Sequence, residues 1–137
     1  MVNKFEASLE KLHAMLNFIK AQASQNGFDQ KALQRIELAA EEVLVNIIQY
    51  GYPNGNGTIE IDCEKVTDAG IKIVIKDHGI PFNPLENKPE FDSDAPLEER
   101  KVGGCGIFFI TNLMDEVKYD RLEDENVLTL VKYKISS

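Results

Sequence analysis

The chain has 137 residues, with 15 Lys and Arg against 23 Asp and Glu, a formal net charge of −8 and an isoelectric point near 4.8. That length is one domain, 1–137, which buries roughly 70% of the surface its unfolded chain exposes, so a core forms without disulfides or structural metal. The acidic balance argues against free nucleic acid as a partner, because neutralising phosphates needs a concentrated Lys/Arg surface. Protein or small-molecule partners are expected instead. The segment Met1 to Lys20 carries Lys4, Glu6, Glu10 and Lys11 among its apolar residues, so it reads as neither a secretory signal nor a membrane span. A cytoplasmic protein with no membrane contact and with reduced thiols at Cys63 and Cys105 is expected.

A short strand is predicted over Val2–Phe5, followed by an amphipathic helix in which Leu9, Leu12, Leu16 and Ile19 recur at three- and four-residue steps. Asn26-Gly27 stops it. Asp29 then caps a second helix running to about Tyr50, with Ile36, Ala39, Ala40, Val43 and Ile47 as its inward seam. Gly51 to Gly57 reads as a loop. Thr58–Val66 and Gly70–Lys76 form an antiparallel hairpin turned by Asp68-Ala69-Gly70. Four of the five prolines fall between Pro81 and Lys101, where the spacing predicts a long irregular segment of the kind that serves as a functional lid. Gly103-Gly104-Cys105-Gly106 opens a third helix reaching about Met114, and Glu116–Arg121 and Val127–Lys134 close the chain as strands. Hairpins with one-sided helices predict an α/β sandwich: a mixed, mostly antiparallel sheet with helices on one face.

Three clusters could carry chemistry. At about 100° per residue, Glu42 and Asn46 lie about 40° apart on the helix surface, whereas Glu41 and Asn46 are about 140° apart. An amide oxygen one turn from a carboxylate suits a Mg²⁺-bound phosphate, the amide ligating the metal and the carboxylate accepting a proton from an attacking hydroxyl. The pair fits a solvated helix surface equally well. Asp77-His78-Gly79-Ile80-Pro81 follows a strand, where a carboxylate can accept from an exocyclic amino group such as that of adenine, and Gly79 lets a flat ligand approach the backbone. An ordinary turn has the same composition. Gly104 and Gly106 place unhindered N–H groups at a helix start, an arrangement suited to anions. Phe109 stands where the dinucleotide fingerprint needs a third glycine, and neither a Walker-type Gly-Lys-Ser/Thr nor an Asp-Phe-Gly is present.

The order of these clusters is more specific than any one of them. Helix with Glu-x-x-x-Asn, hairpin ending in Asp-x-Gly-x-Pro, long lid, then Gly-x-Gly opening a helix resembles the histidine kinase-like (GHKL) ATP-binding fold shared by gyrase, heat-shock chaperone, histidine kinase and mismatch-repair ATPases. Within it the chain resembles the small bacterial anti-sigma factor serine kinases. Glu41-Glu42, the proline after the second box, and an ending similar to Leu113-Met114-Asp115-Glu116-Val117 with Asn126-Val127-Leu128-Thr129-Leu130 carry that resemblance, from about Phe5 to Tyr133. It implies ATP and Mg²⁺ as cofactors. By position it implies that Glu42 is the general base, Asn46 the Mg²⁺ ligand, Asp77 the adenine-reading carboxylate and Gly79 the close-approach glycine. Gly104 and Gly106 would wrap the phosphates, and Arg100 and Lys101 would neutralise the γ-phosphate from the lid. It further implies a Ser/Thr kinase acting on an anti-sigma factor antagonist, a sigma factor held in alternation with that antagonist, and a homodimer. A nucleotide-binding partner-switch module without transfer activity is the alternative, and no room exists for the phosphoacceptor helix pair of a histidine kinase.

Overall fold

The structure, a computed structural model, describes residues 1–52, 57–83 and 106–134. Five strands and three α-helices share one hydrophobic core: β1 (Val2–Glu6), α1 (Leu12–Gln25), α2 (Gln30–Asn46), β2 (Thr58–Val66), β3 (Gly70–Asp77), α3 (Gly106–Leu113), β4 (Glu116–Leu122) and β5 (Glu125–Tyr133).

The helix boundaries follow from local chemistry. Leu9 lies in a 3₁₀ turn ahead of α1 and is exposed, and the buried seam is Met15, Leu16, Ile19 and Ala23. Gly27 ends α1 at φ +87°, with its N–H bonding Ser24 O (3.0 Å) and the Phe28 N–H bonding Ala23 O (3.3 Å). This paired closure satisfies the last carbonyls and needs a left-handed residue. Asp29 caps α2 as expected, its Oδ1 accepting from Ala32 N at 2.8 Å. Ile36, Ala39, Ala40, Val43 and Ile47 are all buried. The α-helix itself stops at Asn46, and Ile47–Gly51 continue as a π-helical turn where an α-helix to Tyr50 is expected.

The sheet order is β1-β2-β3-β5-β4, and every pair among the described strands is antiparallel. The parallel component of the expected mixed sheet is missing because β4, which runs in the direction of β3, sits at the edge, with β5 folded back between the two. Alternation puts Ile59, Ile61 and Cys63 of β2, Ile71, Ile73 and Ile75 of β3, and Leu128 and Leu130 of β5 against the helices. Full burial of each isoleucine contributes about 1.5–3 kcal/mol. The opposite face carries charges such as the Lys72–Glu64 pair (3.4 Å). α2 lies between α1 and α3 on the inward face. Burial pushes the Cys63 thiol up to about 12, which makes it an inert core residue. No helix among the described residues is long and apolar enough to cross a membrane.

Candidate functional site

At one end of the sheet the inward row changes from apolar to polar. Register pairs Asp77 of β3 with Asn126 of β5, and Asn126 with Arg121 of β4. Asp77 and Asn126 are 2% and 4% exposed, so each needs partners within the protein. Asn126 Nδ2 donates to Asp77 Oδ1 (2.9 Å) and to Ile80 O (2.8 Å), while Asn126 Oδ1 accepts from Tyr119 OH and from Phe82 N (3.3 Å). Gly79 N donates a second bond to Asp77 Oδ1 at 2.9 Å. Both bonds fall on one oxygen, and among the described residues no hydrogen bond reaches Oδ2. Burial raises the Asp77 pKa, against the lowering effect of the bonds from Asn126 and Gly79 and of the Arg121 and His78 charges.

The loop after Asp77 is locked from two sides. Arg121 Nη1 donates to Gly79 O (3.0 Å) from the hairpin side. From the helix side, Ile80 N donates to Gly51 O (3.0 Å), and Tyr52 OH accepts from His78 N (2.7 Å) while donating to Thr58 O (2.8 Å). Tyr50 and Phe82 stack with ring centroids 5.5 Å apart. The wider π turn is what delivers Gly51 to this loop. A Cβ on Gly79 would stand 2.3 Å from Gly51 O and 3.0 Å from Asp77 Oδ1. The protein's own backbone therefore approaches Gly79 closely.

Glu42 and Asn46 lie one turn apart at the end of α2, Asn46 being buried and the last α-helical residue. Glu42 is half-buried, and its Oε2, removed from solvent, has no hydrogen-bond donor among the described residues. Its pKa is raised, first by burial and then by the neighbouring charge of Glu41, which itself is exposed. A carboxylate oxygen without a donor is costly to keep and suits a group that receives a proton from outside the protein. The oxygen donors Asn46 and Glu42 fit Mg²⁺, which prefers oxygen and retains water and phosphate ligands. Among the described residues no group of three or more His, Cys, Asp or Glu is gathered for a metal. Gly106 is the first residue of α3. Arg100, Lys101, Gly104 and Cys105 lie outside the described residues.

Sequence reasoning misses Asn126, Tyr119, Arg121, Tyr52 and Gly51. The available signal was an Asn opposite Asp77 in register, visible only once β3 and β5 are paired.

The profile of the histidine kinase-like ATPase domain family matches residues 5–132 of this chain. The chain belongs to that family. Its relatives include a protein named Serine-protein kinase RsbW from Bacillus mycoides (strain KBAB4), 27% identical over 141 residues, covering 96% of this chain and 86% of the relative. Another of that name, from Oceanobacillus iheyensis, is 32% identical over 100 residues, covering 70% of this chain and 63% of the relative. The fold is similar to that of the histidine kinase domain from the Erythrobacter litoralis EL346 blue-light activated histidine kinase, with a TM-score of 0.55 and 16% identity. That match covers 88% of this chain and 60% of the other.

Proposed function

We propose that the protein is an ATP-dependent serine/threonine kinase of the anti-sigma type, binding ATP with Mg²⁺ and phosphorylating a Ser or Thr of an antagonist protein. The observation that carries this reading is the buried Oε2 of Glu42, which has no donor among the described residues. A binding module without transfer has no use for it.

Asp77 Oδ2 accepts from the adenine amino group, while Asn126 and Gly79 hold the carboxylate in place. Asn46 supplies an amide oxygen to the metal. When bound, Mg²⁺ offsets the charge of the phosphates. Glu42 Oε2 takes the proton of the attacking hydroxyl, whose oxygen bonds to the γ-phosphorus as the bond from that phosphorus to the β,γ-bridging oxygen breaks. ADP leaves, and Glu42 returns the proton to solvent. By their match to the family pattern, Gly104 and Gly106 approach the phosphates and Arg100 and Lys101 neutralise the γ-phosphate. A sigma factor is the second protein partner, held in alternation with the antagonist in the cytoplasm. A homodimer pairs through β1, an edge strand, which sedimentation of the purified chain reads directly.

Calorimetry of Mg·ATP binding tests the nucleotide half of this reading. Asp77→Asn replaces an acceptor oxygen with a donor, so affinity falls by about tenfold or more, in keeping with about 1–3 kcal/mol for an unpaired buried polar group. Equal affinities for both proteins would remove Asp77 from the site.

A further inference from the structure

A second site lies at the other end of α2. Gln30, the first residue of α2, is about 24 Å from Asn46 at 1.5 Å per residue. There, a cleft of about 270 Å³ opens between the α1–α2 turn, the first turns of α2 and the end of β5. Four cations line it, Lys31, Arg35, Lys132 and Lys134, against one acid, Asp29. The Asp29 carboxylate is engaged in capping α2. In a chain of net charge −8 this is a strong local reversal.

Lys132 makes the cleft more than a surface patch. It is 7% exposed and is the one buried cation among the described residues. Buried charges are normally paired with an opposite charge. Lys132 Nζ donates to Leu113 O, the last carbonyl of α3, at 2.7 Å, which compensates only part of its charge, and it forms no ion pair with a described residue. An ammonium carries three donors, so capacity remains. The Arg35 side chain, half-buried on the same wall, makes no ion pair or hydrogen bond with another described residue. Gly27, at φ +87°, lets Lys134 close the rim: Lys134 Nζ stands 3.2 Å from where a Cβ on Gly27 would be and 5.9 Å from the Phe28 ring centroid.

We infer that this cleft is a binding site for a phosphomonoester dianion. Cations converging from two elements match a group with three acceptor oxygens and about −1.5 to −2 charge better than a carboxylate, and Arg35 supplies a planar fork for two of the oxygens. The volume, about that of nine liquid waters, takes a phosphate head group and its first carbons. The site is separate from the nucleotide reading and does not depend on it.

The test is an amide NMR titration of the ¹⁵N-labelled full chain with a short phosphoserine peptide, its unphosphorylated form and glycerol 3-phosphate. Saturable shifts are expected in residues 27–35 and 132–134 with both phosphorylated probes and not with the plain peptide. A dissociation constant near or below about 1 mM is expected, weakened about tenfold or more by Arg35→Ala with Lys31→Ala, which alter exposed or half-buried charges on a helix surface. Tighter binding of the peptide assigns the site to a phosphorylated protein, and equal binding assigns it to a free head group. Absent or unsaturable shifts, or shifts that the double variant leaves unchanged while its thermal melt matches wild type, would overturn the inference.

Discussion

Replacing Gly79 with alanine tests whether the Asp77 loop is built by the protein itself or left open for its ligand. The new Cβ would meet Gly51 O at 2.3 Å, and ordinary contact begins at 3.4 Å, so the two backbones have to part by about 1.1 Å. That stretches the 3.0 Å bond from Ile80 N to Gly51 O beyond bonding range. Losing this bond costs about 1 kcal/mol, and forcing an extra carbon into a packed site costs about 1–3 kcal/mol, which gives about 2–4 kcal/mol in all. For a domain of this size the melting temperature should drop by roughly 6–16 °C. The measurement is a thermal melt without nucleotide, paired with calorimetry of Mg·ATP binding. Because the Cβ would also press on Asp77 Oδ1 at 3.0 Å, affinity should fall by about tenfold. If Gly79 served only to admit a flat ligand, the melt without nucleotide would be unchanged and affinity alone would fall. That result would refute the packing argument.

Asn126→Leu keeps the side-chain size and removes the bonds to Asp77 Oδ1 and Ile80 O, so Mg·ATP affinity should weaken about tenfold and stability by about 1–3 kcal/mol; wild-type calorimetry for this variant would detach Asn126 from the site. Glu42 has a raised pKa, so the native state holds its proton more tightly than the unfolded chain. Stability therefore falls as pH rises from the ordinary value of 4.5 through the raised one. Glu42→Gln removes that slope and should leave the protein more stable than wild type at neutral pH. Denaturant melts between acid and neutral pH read this, and a variant less stable than wild type at pH 7 would contradict it.

Much of this architecture was legible because it is local. The α2 cap, its seam and the β2–β3 hairpin follow from residues within a few positions of one another. The π turn was not legible, since five residues such as Ile47-Ile48-Gln49-Tyr50-Gly51 carry the same apolar pattern whether wound at α or π pitch. Leu9 kept helical spacing with α1 although the first turn tightens into 3₁₀ and turns it outward. Glu42, Asn46 and Asp77 stand out as candidates from the sequence, and the structure places Glu42 and Asn46 one turn apart on α2. Asn126 was not legible as a partner of Asp77, because it stands opposite Asp77 only once the chain, 49 positions further along, folds back. The close contact between Gly79 and Gly51 O was not legible, because only the π turn brings Gly51 near.

Phosphotransfer by the Glu42→Gln variant tests the central claim most directly. The assay mixes the purified chain, labelled ATP with Mg²⁺, and the candidate antagonist encoded by a neighbouring reading frame. Glu42→Gln keeps the side-chain shape and the Asn46 amide, so nucleotide affinity should stay near wild type while label transfer falls by about 10²–10⁴-fold, the range for a positioned general base. Glu41→Gln, on an exposed side of the helix, should change transfer far less. Transfer by Glu42→Gln at the wild-type rate, or ATP binding by both proteins with no phosphate delivered by either to any candidate antagonist, would contradict the account and leave a nucleotide-binding partner switch.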